Sequence, residues 1–249
     1  LDDLSLKDLP ASIDFVLNAT NSSTLSYIGM SLGTLLPKIL LSERPEYNRK
    51  INVFINLASV GYLRDHNSNW KFFDTFYKVY FRFTSRDKPF EFFPRNNVLH
   101  SFIQKVCLAN KIFKRACISL SDIVNGEDYE QSLETNEVLA TSLYYPAGTS
   151  SNILWHFYQF LYNGTFEHYD HGSIERNMKY YGQPTPPAYN ISNIDVPMYF
   201  FHGHHDLFST PINDQAFTSQ LRNNRKPIYV IVDWPKFNHV DFVIAKDVR

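Results

Sequence analysis

A chain of 249 residues with 44% hydrophobic and 20% charged content has enough apolar matter for a sizeable core, which excludes global disorder. With 24 Lys and Arg against 25 Asp and Glu, it lacks the cationic surplus that phosphate neutralisation requires, so nucleic acid is not its main partner. No apolar run approaches the roughly 20 residues that span a bilayer, so no transmembrane segment is expected.

Apolar residues at Leu6, Leu9, Ile13, Val16 and Leu17 have helical spacing, and Pro10 fits the first turn. Polar residues from Asn18 to Thr24 read as a loop. Leu25 to Ile28 reads as a short buried strand, and Leu35 to Leu41 as an apolar helix face containing Pro37. Between them lies Gly29-Met30-Ser31-Leu32-Gly33, a Gly-x-Ser-x-Gly sequence in the strand–turn–helix context of a nucleophile elbow. Such a turn lifts the serine hydroxyl clear of the backbone, and a Cβ at either flanking glycine is expected to collide with its neighbours. Pro45 ends the helix. Ile51 to Leu57 reads as a second buried strand, and the β-α-β order implies a parallel sheet.

From Gly61 to about Tyr189 strand signals fade. Trp70, Phe72, Phe73, Phe76, Tyr77, Tyr80, Phe81 and Phe83 form a dense aromatic run, continued by Phe90, Phe92 and Phe93. Ile153 to Tyr162 adds Trp155, Phe157, Tyr158 and Phe160. This reads as a helical insertion whose aromatics either pack a core or line a greasy binding face. Tyr180 to Tyr189, rich in Pro and Tyr, returns the chain to the main domain. Val196 to Phe201 is expected as a strand, Asp214 to Arg222 as a helix and Ile228 to Val232 as the last strand. The expected organisation is a core over residues 1–60, a helical cap over 61–189 and a second core segment over 190–249.

Ser31, Asp206 and His239 each follow a predicted parallel strand, at the sheet edge where reacting groups of open α/β sheets gather. Their order is that of α/β-hydrolases. An imidazole near neutrality takes the serine proton and later gives it to the leaving alcohol, while a carboxylate behind the ring fixes its tautomer. Asp195 precedes its strand, and Asp241 is too near His239 in sequence to orient it from behind. His202, His204 and His205 are clustered but have no matching ligand pair elsewhere, so no metal is expected. The backbone N–H of Leu32 is placed to donate to an oxyanion. Four sequons, at Asn18, Asn21, Asn163 and Asn190, point to the secretory route. Cys107 and Cys117 are near enough in sequence to close a small loop, or to stand as two buried thiols.

The sequence resembles the acid lipase family, the gastric and lysosomal lipases and their insect relatives. The resemblance is carried by Asp8-Leu9-Pro10-Ala11-Ser12-Ile13-Asp14-Phe15, Tyr145-Pro146-Ala147-Gly148-Thr149-Ser150, Tyr169-Asp170-His171-Gly172-Ser173, Pro186-Pro187-Ala188-Tyr189-Asn190 and Phe237-Asn238-His239-Val240-Asp241-Phe242. It implies an α/β-hydrolase fold with a mainly parallel sheet and a helical cap, and Ser31, Asp206 and His239 as the triad. It further implies a cap disulfide between Cys107 and Cys117, glycosylation at Asn190, and hydrolysis of a neutral lipid ester at a lipid–water interface without cofactor or metal, in a secreted or lysosomal setting. Met30 and Leu32 replace two polar residues of the family's elbow. The family also has a segment before the position of Leu1 that carries the first strands and the other oxyanion donor, so this chain is expected to lack the N-terminal strands. The competing expectation is a lipid-binding protein that keeps the fold without turnover.

Overall fold

A computed structural model describes residues 1–62, 70–95, 97–132, 144, 147–222 and 226–248. Four parallel strands form one sheet: β1 (Leu25–Met30), β2 (Ile51–Leu57), β5 (Met198–His202) and β6 (Ile228–Ile231), in the order β1-β2-β5-β6. Met30 pairs with Leu57 and Leu57 with Phe201, so the carboxyl ends of the first three strands come level. Loops leaving those ends therefore meet along one edge. β1 forms the opposite edge strand to β6 and leaves Ile28 exposed.

Helix α1 (Leu9–Thr20) follows a π-helical turn at Leu4–Asp8, has Pro10 in its first turn and buries Ile13 and Leu17. It runs further than the polar composition implies: Asn18 to Thr20 are helical, and the chain leaves through Asn21 in a left-handed conformation, φ 49°. A short Asx-type residue tolerates that conformation, so the helix stops there rather than at the first polar residue. Helix α2 (Leu32–Glu43) buries Leu35, Ile39, Leu40 and Leu41 completely and ends before Pro45, as expected.

The segment between β2 and β5 carries α3 (Trp70–Phe83), α4 (Asn97–Cys107), α5 (Lys111–Asn125), α6 (Tyr129–Ser132), α7 (Ser151–Asn163) and α8 (Ile174–Tyr181). It also holds a two-residue antiparallel ribbon of β3 (Glu91–Phe92) and β4 (Thr149–Ser150), which the sequence reading did not anticipate. The two aromatic blocks pack on each other: Phe81 lies 3.8 Å from Trp155 and 4.6 Å from Tyr158 between ring centroids. Phe83 and Phe93 stay exposed, while Phe160 and Phe166 reach the main core beside Tyr62, Tyr189 and Phe217. The side chains of Trp70, Phe72, Phe73 and Phe76, and residues 145–146 of the Tyr145–Ser150 motif, lie outside those described. Cys107 and Cys117 are joined as a disulfide that links α4 to α5.

Helix α9 covers Pro211–Thr218, three residues earlier than the predicted start at Asp214 and four short of Arg222. Thr210 sets its start: the hydroxyl accepts from Asn213 N, and Pro211 occupies the first turn, where no N–H is needed. The short helix α10 (Asp241–Ile244) closes the described chain.

Candidate active site

Ser31 sits between β1 and α2 with φ 51° and ψ −117°, a conformation that L-residues rarely adopt. The surroundings hold it there. Its N–H donates to Leu57 O at 3.0 Å, and its carbonyl accepts from Thr34 N at 2.8 Å and Thr34 Oγ1 at 2.7 Å. Thr34 Oγ1 in turn accepts from Val60 N at 2.9 Å, which ties the turn to the loop after β2. A Cβ on Gly29 would lie 2.3 Å from the Gly33 carbonyl oxygen, so that glycine is a steric necessity. Gly33 differs from expectation: a Cβ there would meet nothing within 4 Å, because the position faces open space at the start of α2.

Asp206 lies in the loop after β5. Its Oδ1 accepts from Phe208 N at 2.8 Å and Ser209 N at 2.9 Å, so the carboxylate is fixed by its own turn. His239 follows β6, and its N–H donates to Asn125 O, at the end of α5, at 3.2 Å. The buried ring spans the other two groups. Nδ1 lies 2.9 Å from Asp206 Oδ2 and 3.0 Å from Oδ1, and Nε2 lies 2.7 Å from Ser31 Oγ. A carboxylate accepts only, so Nδ1 carries the hydrogen, and Nε2 is left to accept the Ser31 hydroxyl proton. Phe208 packs against the imidazole with centroids 5.0 Å apart and shields one face from water. The N–H of Leu32 opens the first turn of α2, where a helix has no carbonyl to offer it.

The remaining candidates are dispersed. His202 is buried with Nδ1 3.0 Å from Ser209 Oγ, His205 Nδ1 lies 2.9 Å from Glu127 O, and His204 is exposed. Among the described residues no group of His, Cys, Asp and Glu has metal-binding geometry. Asp195 donates its N–H to Asn48 at the far end of the sheet, and Asp241 turns away from the His239 ring to accept from Asn238 N at 2.7 Å. Asn18, Asn21, Asn163 and Asn190 are all exposed.

Sequence reading missed one cluster beside the site. Lys38, with no exposed surface, donates to Ser59 Oγ at 2.7 Å, Val60 O at 2.8 Å and Asp214 Oδ1 at 3.2 Å. Ser59 Oγ also donates to Asp214 Oδ1, at 2.8 Å, and His202 Nε2 faces Asp214 Oδ2 at 3.6 Å. Burial lowers the Lys38 ammonium from its ordinary value, and Asp214 opposes that. Burial likewise lowers His202. The signal was available: a lysine in the middle of an otherwise apolar helix face needs a buried acid.

No protein-family model matches the chain. Among curated proteins, lipase member K of Homo sapiens is 30% identical over 247 residues, covering 99% of this chain and 60% of that protein. Human gastric triacylglycerol lipase is 30% identical over 246 residues with the same coverage. The lysosomal acid lipase/cholesteryl ester hydrolase of Macaca fascicularis is 29% identical over 246 residues, again covering 99% and 60%. The chain therefore spans about 60% of the length of these relatives. Among solved structures, an α/β fold family hydrolase from Bacillus anthracis aligns over 97% of this chain and 70% of that one at 13% identity, with a TM-score of 0.45. With a parallel sheet, a nucleophile-type elbow after its first strand and a helical insertion before its last two, the chain has an α/β-hydrolase fold and resembles the gastric and lysosomal acid lipases along nearly its whole length.

Proposed function

We propose that the protein is a serine ester hydrolase that cleaves neutral lipid esters, triacylglycerol or steryl ester, through an acyl-enzyme on Ser31. The observation that carries this reading is the single imidazole of His239 in hydrogen-bond reach of both Ser31 Oγ and Asp206. His239 Nε2 takes the hydroxyl proton as Oγ adds to the ester carbonyl carbon. The tetrahedral oxyanion receives a hydrogen bond from Leu32 N–H, and Asp206 stabilises the imidazolium. Collapse breaks the ester C–O bond, with the Nε2 proton passing to the leaving alcohol. Water, deprotonated by the same nitrogen, then releases the fatty acid and frees Oγ.

The substrate class is supported by the relatives, one named a triacylglycerol lipase and another a cholesteryl ester hydrolase. A division into core over 1–60 and 190–249 and cap over 61–189 fits a sheet whose strands lie in the outer segments and a middle segment dominated by helices. A lumenal or secreted setting is supported by four exposed sequon asparagines and a disulfide. The second reading, a lipid binder without turnover, is favoured by the apolar Met30 and Leu32 beside the nucleophile. Full-length protein treated with a fluorophosphonate ester separates the two. The hydrolase reading expects covalent labelling, loss of label in Ser31→Ala, and fatty acid release from trioleoylglycerol or cholesteryl oleate. Absence of label on the wild type, or label that persists in Ser31→Ala, overturns it.

A further inference from the structure

The carboxylate of Asp214 is the meeting point of two chains of contacts, and each ends on a different member of the Ser31, His239 and Asp206 constellation. Oδ1 begins the first. It accepts from Lys38 Nζ at 3.2 Å and from Ser59 Oγ at 2.8 Å, and Lys38 also donates to Val60 O at 2.8 Å. Val60 N donates to Thr34 Oγ1 at 2.9 Å, and that hydroxyl donates to Ser31 O at 2.7 Å. Oδ2 begins the second. It faces His202 Nε2 at 3.6 Å, His202 Nδ1 lies 3.0 Å from Ser209 Oγ, and Ser209 N donates to Asp206 Oδ1 at 2.9 Å. Asp206 holds His239 Nδ1 at 2.9 Å, and His239 Nε2 returns to Ser31 Oγ at 2.7 Å. The ring so closed passes through α2, α9 and the loops after β2, β5 and β6.

The hydrogens of the second chain have one consistent arrangement. Burial lowers the His202 imidazole, so the neutral ring carries one hydrogen. A hydrogen on Nδ1 would turn the bare lone pair of Nε2 toward the Asp214 carboxylate, two buried acceptors face to face. A hydrogen on Nε2 instead sets a positive N–H edge toward Asp214 Oδ2, and neither of these buried atoms has a hydrogen-bond partner elsewhere among the described residues. Nδ1 is then the acceptor, and the Ser209 hydroxyl donates to it. Asp214, His202 and Ser209 thus repeat the order carboxylate, imidazole, hydroxyl found in Asp206, His239 and Ser31. This second row is closed to substrate: Ser209 is 2% exposed, and His202 and Asp214 are 1% exposed.

What the buried row fixes is the turn that carries Asp206. The Asp206 carboxylate is held by backbone N–H groups of its own turn, so on those bonds alone it moves wherever the turn moves. The Ser209 hydroxyl joins the turn to His202 at the end of β5. His202 is in turn anchored to the strand beside it, since its carbonyl accepts from Val232 N at 2.9 Å. A shift of Asp206 draws the His239 ring away from Ser31 Oγ, and reaction rate is steeply sensitive to such a shift.

We propose that the buried row of Asp214, His202 and Ser209 is a positioning device that fixes the Asp206 turn relative to the Ser31 turn, to which Asp214 is joined through Lys38, and so keeps the His239 imidazole in reach of the Ser31 hydroxyl. The catalytic consequence rests on the proposed triad chemistry. Asp214, His202 and Ser209 are positioning residues and touch no reacting atom.

The test is turnover of a water-soluble short-chain ester by full-length wild type, Ser209→Ala, His202→Phe and the double variant, with kcat counted per serine titrated by a fluorophosphonate ester. Titration removes unfolded molecules from the count. Ser209→Ala deletes only the hydroxyl that joins the turn to His202 and keeps the N–H on Asp206. Each single substitution is expected to lower kcat about tenfold with KM within about twofold, because misplaced reacting groups cost rate rather than binding. The double variant is expected to lose about tenfold as well, since both substitutions cut the same link. A Ser209→Ala kcat within about twofold of wild type, or losses that multiply to about a hundredfold in the double variant, overturns the proposal. The Nδ1 proton resonance of His239, in protein with nitrogen-15-labelled histidine, reads the same displacement without turnover and serves where His202→Phe does not fold. It is expected to shift in Ser209→Ala, and a resonance that stays in place overturns the proposal. A wild type that neither turns over ester nor takes label on Ser31 sinks the triad reading instead, and the His239 resonance still decides the positioning.

Discussion

The Tyr27 hydroxyl donates to the Gly33 carbonyl at 3.0 Å, and that carbonyl is the one Pro37 leaves empty. In an α-helix the N–H of residue 37 would bond to the oxygen of residue 33, and proline has none to give. A tyrosine from β1 therefore completes the helix that follows Ser31. It does so within one turn of Ser31, which explains how α2 runs on through Pro37 to Glu43. Tyr27→Phe is expected to destabilise the fold by about 1–2 kcal/mol by orphaning a shielded carbonyl. In a Pro37→Ala background, which restores the N–H, the same substitution should cost less. Urea unfolding of the four proteins of this double-mutant cycle measures the difference, and equal costs in both backgrounds would show that the hydroxyl does not stand in for the missing donor.

The Lys38–Asp214 pair makes a second expectation. Lys38→Met removes the cation and leaves Asp214, itself buried, with only a serine hydroxyl on Oδ1. Breaking one side of a buried pair costs about 3–5 kcal/mol, whereas replacing both sides with apolar groups of similar volume is often close to neutral. Lys38→Met is expected in that destabilising range, and Lys38→Met with Asp214→Leu should recover most of the loss. Denaturant midpoints settle it: a single mutant within about 1 kcal/mol of wild type would mean that the pair contributes little.

His168 supplies a pH expectation. Its Nδ1 lies 3.1 Å from Asp2 Oδ1 and its Nε2 3.2 Å from Glu43 Oε2, so the loop between α7 and α8 is bound to the end of α2. Burial alone would lower the imidazole, but the two carboxylates outweigh it and raise the group to about 9. A raised histidine contributes stability that is fully present below its ordinary value of about 6.5 and is lost as pH climbs through the folded value. Melting temperature is expected to drop between about pH 6.5 and about pH 9. His168→Gln should start lower and show a flatter profile over that window. A wild-type profile with no slope there would remove the charged-histidine reading.

The parts of the protein legible in the sequence are those written in local pattern. Ile51–Leu57 is a strand because apolar residues, three of them β-branched, fill five of its seven positions, and Trp70–Phe83 is a helix because its aromatics keep a helical period. The elbow is legible because Gly29 and Ser31 must stand together between a strand and a helix. The start of α9 is also written locally, in the Thr210 cap and Pro211, three residues before the expected Asp214. The tertiary structure alone decided the long-range pairings: Lys38 with Asp214 across 176 positions, and Tyr27 standing in for the donor that Pro37 lacks. No period or spacing encodes these. A buried polar atom must find a partner somewhere, but which partner it finds depends on how helices and loops from distant stretches close over one sheet edge.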